Sequence, residues 1–321
     1  MPSRHDPQPD FVDPGLSAAH RAALRSLDRV VEHTAEPTPP AQALADVVEQ
    51  LSAKGVLVLT GAGVSTDSGI PDYRGPQGSL RRSRPMTFQE FQADPAARQR
   101  YWARGFIGTH LMRQARPNIA HHIVADWQAR GLLSGVVTQN VDDLHTVAGA
   151  TGVVALHGDM RTVVCLDCGN EEQRQHFEAR LEEANPGYRE AVSVNAQEVN
   201  ADGDVTLSQE IVDRFNTVRC LVCGSDRLKP SVVYFGENIP APTRAAAEEL
   251  KAEASSLLVI GSSLAVMSGY RFVLDAENRG HHVSVINGGP GRADAKVQTL
   301  WRTQVAPALE EVDAALRRRG L

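Results

Sequence analysis

The sequence has no long hydrophobic segment, no excess of positive charge and few cysteines. No stretch approaches the roughly 18 consecutive apolar residues of a membrane-spanning helix, and the N-terminal segment lacks the apolar region of a secretory signal. The formal net charge of −6 argues against binding to nucleic acid through bulk charge. We therefore expect a cytoplasmic protein whose partners include neither a membrane nor nucleic acid.

The four cysteines of the 321-residue chain form two C-x-x-C pairs, Cys165 with Cys168 and Cys220 with Cys223. A chain of this length can build a core without disulfides, so paired cysteines indicate a metal site in a reducing compartment. Four thiolates complete a tetrahedral zinc shell and leave no open position, which favours one structural ion over a catalytic one. A redox role is less favoured, because neither pair opens a helix after a strand.

Short apolar runs bounded by glycines predict strands that are buried on both faces of a parallel sheet. Helical patterns alternate with these runs, beginning at Ala41 and again over residues 118–130 and 242–254. This alternation predicts an α/β fold with a doubly wound, Rossmann-like parallel sheet. The predicted strands are VLVLT (56–60), GVVTQ (135–139), VVAL (153–156), LLVIG (257–261) and HVSVI (282–286).

Two segments interrupt the alternation. Residues 75–116 show no strand pattern and predict a helical insertion, residues 161–232 predict a zinc-ribbon module, and we expect the two insertions to form a second, smaller module together. Within that module, residues 171–191 indicate a helix, and residues 201–215 indicate a turn and a helix. We expect residues 1–40 to be an N-terminal extension with a short helix and a linker. A catalytic domain would span residues 41–321, with its Rossmann-like part formed by residues 41–74, 117–160 and 233–321.

The first predicted strand runs into a loop of small residues, GAGVSTDSGIPDYR (61–74). Small residues after a buried strand let the backbone approach a phosphate, and a following helix N-terminus attracts negative charge. The spacing departs from G-x-G-x-x-G, which disfavours a nicotinamide dehydrogenase, and the absence of Gly-Lys-Ser/Thr disfavours a P-loop NTPase. On the glycines alone, a tight turn is as good an interpretation as a nucleotide site.

Further polar side chains follow two other predicted strands. Gln139, Asn140 and Asp142 lie where the second strand ends, and His157 follows VVAL. Ligands of open α/β sheets bind at this edge, and a histidine there can act as a general base near neutral pH. The alternatives are that Asn140 and Asp142 cap a helix and that His157 is a core histidine.

The sequence resembles the sirtuins, the family of NAD-dependent protein deacylases. The resemblance rests on ordered motifs that cover most of the chain, from about Val56 to Val305: GAGVSTDSGIPDYR (61–74), TQNVDDLH (138–145), LHGD (156–159), LKPSVVYFGE (228–237), GSSL (261–264) and INGG around Asn287.

The resemblance implies that the chain transfers the acyl group of an acylated protein lysine to NAD-derived ADP-ribose, releasing nicotinamide. His157 would be the base, with Asn140 and Asp142 also at the catalytic site. The segment from Val233 to Glu237 would pair with the substrate backbone, with Val233, Phe235, Gly236 and Glu237 as its binding residues. The implied NAD-binding residues are Gly61, Ala62, Gly63, Ser65, Ile70, Asp72, Tyr73, Arg74, Gln139, Asn140, Val141, Asp142, Gly261, Ser262, Ser263, Asn287, Gly288, Gly289 and Val305.

The segment RYWARGF (100–106) bears on the acyl group. Tyr101 and Arg104 are three residues apart and share a face of a helix. In one branch of the family such a pair reads an acyl carboxylate, whereas the segment as a whole resembles the class II branch more closely. The equally weighted alternative is an ordinary ion pair of Arg104 beside a packed Tyr101. Protein mono-ADP-ribosyl transfer at the same NAD site, and an NAD-sensing module without catalysis, are the competing functions.

Overall fold

The computed structural model describes residues 11–29, 31–76, 78–81, 83–192, 200 and 202–321. The predicted extension, insertion and zinc module therefore each include some positions outside the described residues: 1–10, 30, 77, 82, 193–199 and 201. The chain divides into two compact units. One, which we call the sheet unit, comprises residues 29–75, 116–156 and 239–321, and the other, the cysteine unit, comprises residues 1–28, 76–115 and 157–238.

The described helices and strands, numbered along the chain, have the following bounds. The helices are α1 (Pro14–Leu27), α2 (Pro40–Ser52), α3 (Phe88–Ala93), α4 (Pro95–Met112), α5 (Ile119–Ala129), α6 (Leu144–Val147), α7 (Arg174–Ala184), α8 (Gln209–Asp213), α9 (Ala241–Glu253), α10 (Met267–Asn278) and α11 (Val305–Arg318). The strands are β1 (Val56–Thr60), β2 (Leu133–Thr138), β3 (Val154–Ala155), β4 (Gly158–Cys165), β5 (Glu171–Gln173), β6 (Leu228–Val232), β7 (Ser256–Ile260), β8 (His282–Ile286) and β9 (Thr299–Trp301).

The sheet unit contains a parallel sheet, which in the described residues has the strand order β3-β2-β1-β7-β8-β9. The chain starts in the middle at β1, moves outward to β3, then returns to the other side of β1 at β7. This reversal confirms the predicted doubly wound fold. It also opens a crevice at the carboxyl ends of β1 and β7, where such sheets bind ligands.

Both faces of the sheet are buried, which explains why its strands are continuous apolar runs. In β1, Val56 and Val58 join a core formed with α2, α5 and α11, whereas Leu57 and Leu59 join the opposite core formed with α9 and α10. Full burial of such side chains contributes roughly 1.5–3 kcal/mol each. Alternate side chains of β1 thereby pack against the helices on the two faces of the sheet, and the loop of small residues follows at the carboxyl end of the strand.

The cysteine unit has its own hydrophobic core. Its antiparallel sheet has the order β5-β4-β6. Trp102 and Phe106 of α4 pack with Phe177 and Leu181 of α7, and all four side chains are almost fully buried. The indole N–H of Trp102 donates to Leu228 O of β6 at 2.9 Å, which ties α4 to the sheet.

Among the described residues, no helix is long and apolar enough to cross a membrane.

Two local predictions differ from the structure. Residues 171–191 are not one helix, because residues 171–173 pair with β4 as β5 and the helix ends at Ala184. Residues 153–156 contribute a strand of just two residues, Val154 and Ala155.

Candidate active site

The loop after β1 lies against the loop after β7. The N–H of Gly61 donates to Ile260 O at 3.1 Å, and the N–H of Gly63 donates to Gly261 O at 2.9 Å. A Cβ added to Gly63 would lie 2.8 Å from Gly261 O, and one added to Gly61 would lie 2.7 Å from the Cβ of Ser262. The predicted NAD-binding glycines are therefore required where one backbone approaches another.

Ser65 connects the loop to two residues after β2. Its buried hydroxyl donates to Asp142 Oδ2 at 2.6 Å and accepts from Asn140 Nδ2 at 3.1 Å. Asn140 Nδ2 also reaches Gly61 O at 3.2 Å. Burial raises the pKa of Asp142, whereas the bonds from Ser65 and from the N–H of Leu144 lower it. The structure thus brings together polar groups that the sequence places far apart, as predicted for this edge of the sheet.

Two buried histidines, which the sequence analysis left without a role, lie against this network. His145 Nε2 is 2.9 Å from Thr60 Oγ1, which in turn donates to Thr138 Oγ1 at 2.8 Å. His121 Nε2 is 3.4 Å from Ser65 Oγ, and the two imidazole rings are 4.8 Å apart. Burial lowers the pKa of His121 to about 3 and that of His145 to about 4, so both rings are neutral at pH 7. The signal available in the sequence was the position of His145 within TQNVDDLH.

The continuation of the first loop carries a carboxylate and a guanidinium. Asp72 Oδ1 accepts from the N–H of Gly75 at 2.9 Å, and burial raises the pKa of its carboxyl. Burial also lowers the pKa of Arg74, although a guanidinium stays charged in proteins. The buried Ile70 supplies an apolar surface next to Ser65, whose carbonyl accepts its N–H at 3.2 Å.

The other predicted NAD-binding residues lie at the same carboxyl edge. The hydroxyl of Ser262 donates to Gln139 Oε1 at 2.7 Å and accepts from the N–H of Leu264 at 3.2 Å. Asn287 Nδ2 donates to Gly289 O at 2.8 Å, which orders the loop after β8. In the same edge lie Ala62 and Tyr73 in the loop after β1, Val141 after β2, Ser263 after β7, Gly288 after β8, and Val305 at the start of α11.

His157 directly follows the end of the β3 run. The N–H of the preceding Leu156 continues the pairing with β2, and the carbonyl of His157 accepts the N–H of Val233 at 2.7 Å. The next residue, Gly158, has a φ of +72°, and a Cβ there would lie 1.9 Å from Ser231 O. A glycine is therefore needed at this position to hold the backbone of His157 beside that of Val233.

The predicted substrate segment, residues 233–237, has internal partners. Phe235 forms a parallel bridge with Thr87, and its carbonyl accepts the N–H of Phe88 at 2.9 Å. The carbonyl of Gly236, whose φ is +84°, accepts from Gln89 Nε2 at 3.0 Å. The N-terminal turn of α3 therefore fixes the path of this segment.

The carboxylate of Glu237, at the C-terminal end of the segment, bonds to residues that precede it in the chain. Its Oε2 accepts from the N–H of Tyr234 at 2.9 Å and pairs with Lys229 Nζ at 3.1 Å. Burial lowers the pKa of Lys229, and Glu237 raises it. This ion pair turns the carboxylate of Glu237 toward its own chain.

Tyr101 and Arg104 have different surroundings. The ring of Tyr101 packs against Phe91 at 5.4 Å and Tyr234 at 5.3 Å between centroids, and burial raises its pKa to about 12. Arg104 pairs with Asp204 at 3.8 Å, with both side chains largely buried. This is the arrangement that the ion-pair alternative describes.

The four cysteine sulfurs converge, with all ligand atoms within 4.8 Å of one another. Cys165 Sγ is 3.6 Å from Cys223 Sγ, and Cys168 Sγ is 3.7 Å from Cys220 Sγ. Tetrahedral zinc with Zn–S bonds of about 2.3 Å requires sulfurs about 3.8 Å apart, so the cluster fits one zinc ion. Backbone N–H donors from Cys223 and Val222 lower the pKa of Cys220 to about 6, which favours the thiolate that binds metal.

Comparisons with known proteins agree with this arrangement. Residues 61–268 match the sequence profile described as the Sir2 family. An NAD-dependent protein deacetylase 1 of Corynebacterium efficiens is 54% identical over 274 residues, which cover 85% of this chain and 98% of the relative. Its namesake of Streptomyces coelicolor is 50% identical over 278 residues, which cover 87% of this chain and 91% of that relative.

A solved Sir2 structure with a deacetylated p53 peptide and 3′-O-acetyl ADP ribose matches with a TM-score of 0.68 at 27% identity. The match covers 85% of this chain and 98% of that chain.

Proposed function

Because the chain belongs to the Sir2 family and is an NAD-dependent protein deacylase, we propose that His157 is its general base and that Asn140 and Asp142 bind the nicotinamide group. The observation that carries this proposal is the network of Ser65, Asn140 and Asp142 at the carboxyl edge of the sheet. It places a carboxamide and a carboxylate in fixed orientations, and nicotinamide carries a carboxamide that such groups recognise.

The reaction proceeds by two displacements. The carbonyl oxygen of the acylated lysine attacks the anomeric carbon of the nicotinamide ribose, the glycosidic C–N bond breaks, and nicotinamide leaves. His157 then takes the proton of a ribose hydroxyl, and the resulting oxygen attacks the carbon of the O-alkylimidate. The bond from that carbon to the lysine nitrogen then breaks to release free lysine, and water adds to the carbon to give O-acyl-ADP-ribose. A general base positioned for the second step contributes about 10²–10⁴-fold to the rate.

The remaining residues bind the two substrates. Loops after β1, β2, β7 and β8 hold NAD, with Arg74 beside its phosphates and Gln139 beside its ribose. The segment of residues 233–237 holds the main chain of the acyl-lysine peptide, a mode that gives affinity with little sequence selectivity. Its hydrogen bonds to α3 and to Glu237 support this role, because a pre-ordered strand loses less entropy on binding.

Replacing His157 by alanine tests the assignment. We expect His157→Ala to bind NAD with unchanged affinity and to lose about 10²–10⁴-fold in formation of O-acyl-ADP-ribose from an acetyl-lysine peptide. Exchange of labelled nicotinamide into NAD, which precedes the base-catalysed step, should persist. Mass spectrometry of the NAD-derived product measures the outcome.

The exposed His122 offers the matched control, since His122→Ala removes an imidazole without touching the site. Turnover of His157→Ala at the rate of this control would refute the assignment. ADP-ribosylated protein, in place of O-acyl-ADP-ribose, would revive the transferase alternative that the names of the relatives disfavour.

Acetylated protein lysines are the substrates we propose for this chain. The names of the relatives support acetyl groups, and the pairing of Arg104 with Asp204 supports a neutral acyl chain, because a carboxylate already faces that guanidinium. A panel of acetyl, succinyl, glutaryl and lipoyl peptides, assayed with the wild type and Arg104→Met, checks this. A change of ranking in the variant would restore the carboxylate-reader interpretation. The thiolate cluster supports a reducing, cytoplasmic location, and assignment to class II stays a prediction.

A further inference from the structure

Helix α1 lies before the residues that match the Sir2 profile, and it packs on α3. Its buried face consists of His20, Ala23 and Leu27. Asp13 caps the helix, accepting from the N–H of Gly15 at 2.6 Å. The extension therefore includes an ordered helix with a defined docking face, and the function proposed above gives that helix no role.

The contact centres on His20 and Thr87. His20 is 4% exposed, and its Nδ1 is 3.0 Å from Thr87 Oγ1. The threonine hydroxyl is also 3.0 Å from Glu90 Oε2, and because a carboxylate is the stronger acceptor, we assign the hydroxyl proton to Glu90 and the donor role in the other contact to Nδ1 of His20. This assignment places a proton on Nδ1 of His20. Burial lowers its pKa, with Glu90 acting in the opposite sense and Arg84 and Arg21 adding to the lowering.

Thr87 also begins the turn that fixes the predicted substrate segment. It forms the bridge to Phe235, and the next two residues, Phe88 and Gln89, bond to the carbonyls of Phe235 and Gly236. From α1 itself, the Cβ of Ala23 lies 3.0 Å from where a Cβ on Gly236 would be. The helix therefore reaches the substrate segment both directly and through one hydrogen-bonded side chain.

We propose that α1 positions the acyl-lysine peptide site, with His20 acting through Thr87 as a positioning residue for Phe235 and Gly236. This inference rests on the proposed binding of substrate by residues 233–237. The ligand class is the extended main chain of an acylated peptide. Loss of the support loosens the segment and weakens peptide binding, while NAD binding is unaffected.

Two substitutions separate positioning from mere packing. His20→Phe keeps a ring of similar size but removes the donor, whereas the side-chain N–H of His20→Asn replaces the Nδ1 donor at nearly the same distance from the backbone. We expect the KM for an acetyl-lysine peptide to rise about five- to tenfold in His20→Phe, as for loss of one hydrogen bond, and to return to within about twofold of wild type in His20→Asn. The KM for NAD and kcat should stay unchanged in both variants.

Two further variants complete the test. Arg25→Ala, at an exposed position of α1, should leave every constant unchanged, and deletion of residues 1–28 should reproduce the His20→Phe phenotype. An unchanged peptide KM in both His20→Phe and the deletion, or equal rises for NAD and peptide, would overturn the proposal. Phe235→Ala separates a failure of this inference from a failure of the proposed substrate segment. If Phe235→Ala raises the peptide KM and His20→Phe does not, the proposed role of α1 is wrong. If neither variant raises it, the assignment of residues 233–237 to substrate binding is wrong.

Discussion

Ser65 connects the two residues that we propose bind nicotinamide, Asn140 and Asp142. Its single hydroxyl proton goes to Asp142, and its lone pairs face Asn140 and His121. Ser65→Ala would leave the carboxylate of Asp142 without this donor. A hydrogen bond to a charged group contributes about 1.5–3 kcal/mol, so we expect kcat/KM for NAD to fall roughly 10- to 100-fold. Steady-state kinetics at saturating peptide measure the effect.

Thr66→Ala is the control for that substitution, because Thr66 is exposed and its hydroxyl bonds within the loop, to Gly63 O at 3.1 Å. Circular dichroism should show both variants folded. If Ser65→Ala retained the kcat/KM of Thr66→Ala, the network would not contribute to catalysis.

The two buried histidines make stability depend on pH. The folded state keeps His121 and His145 neutral, since burial lowers the pKa of each from 6.5 to about 3 and about 4, whereas the unfolded chain takes up protons below about pH 6.5. The folded state is thus fully stabilised above pH 6.5 and loses stability as pH falls toward 4. Between pH 7.5 and 5 each histidine should lower the free energy of unfolding by up to roughly 2 kcal/mol, measured by urea titration.

A double variant, His121→Gln with His145→Gln, tests the source of this dependence. Glutamine keeps a hydrogen-bonding amide but does not titrate. The difference in unfolding free energy between pH 7.5 and pH 5 should shrink in the variant. The same difference in both proteins would assign the effect to other groups.

At the residue scale, the positions of the polar groups at the carboxyl edge of the sheet were predictable, because these residues directly follow strands within the motifs; their roles stay predictions. The role of His121 was not predicted, because the sequence does not show which hydroxyl a histidine on a helix will contact. The sequence left Arg104 undecided for the same reason: its partner, Asp204, lies in a different segment of the chain.

Among the elements, the strands buried on both faces were the most predictable. The bounds of β1 and β8 agree with the predicted runs, since every position of β1 and every position of β8 after His282 is buried. The prediction failed for β5, whose sequence Glu-Glu-Gln has no strand pattern. Its conformation comes from pairing with β4, a tertiary effect that outweighs local propensity.

The turn into β4 provides a prediction at this level. Gly158→Ala must place a Cβ 1.9 Å from Ser231 O and must also adopt a φ of +72°. The left-handed backbone alone costs about 1–2 kcal/mol, and overpacking typically adds about 1–3 kcal/mol. We expect a clear loss of unfolding free energy, together with loss of deacylation, because the backbone of His157 is displaced.

Gly152→Ala separates the two costs. Gly152 has a φ of +60° with nothing within 4 Å of an added Cβ, so its substitution should cost the backbone term alone. Equal losses of unfolding free energy in the two variants would show that the contact with Ser231 is relieved by relaxation. Denaturant titration of both proteins decides between these outcomes.

For the whole molecule, the place where the N-terminal helix packs was harder to predict than the helix itself. The sequence groups the two segments that interrupt the alternation into one smaller module, and residues 76–115 and 157–238 lie in one compact unit, but that unit also includes residues 1–28. Periodicity indicates what an element is, but contacts between distant segments depend on core complementarity that one sequence does not display. The docking of α1 on α3 is a contact of this kind.

The zinc site is the feature that should control the stability of the cysteine unit. Cys165 and Cys220 are buried in the same hydrophobic core as Trp102 and Phe177, so the metal would link both C-x-x-C pairs to that core. The binding free energy of a structural zinc ion is folding free energy, about 10–16 kcal/mol in isolated zinc fingers. We expect elemental analysis to find one zinc per chain, and chelation to unfold the cysteine unit while the sheet unit keeps its own thermal transition.

Calorimetry with 1,10-phenanthroline, and with the non-chelating 1,7 isomer as control, would measure this. The first compound should abolish one transition and the deacylase activity, and added zinc should restore both, whereas the second should change neither. Cys168→Ser, which alters an exposed ligand without creating a cavity, should lower zinc occupancy and reproduce part of the effect. An unchanged melting profile after complete zinc removal would mean that the hydrophobic core around Trp102 holds the unit together without the metal.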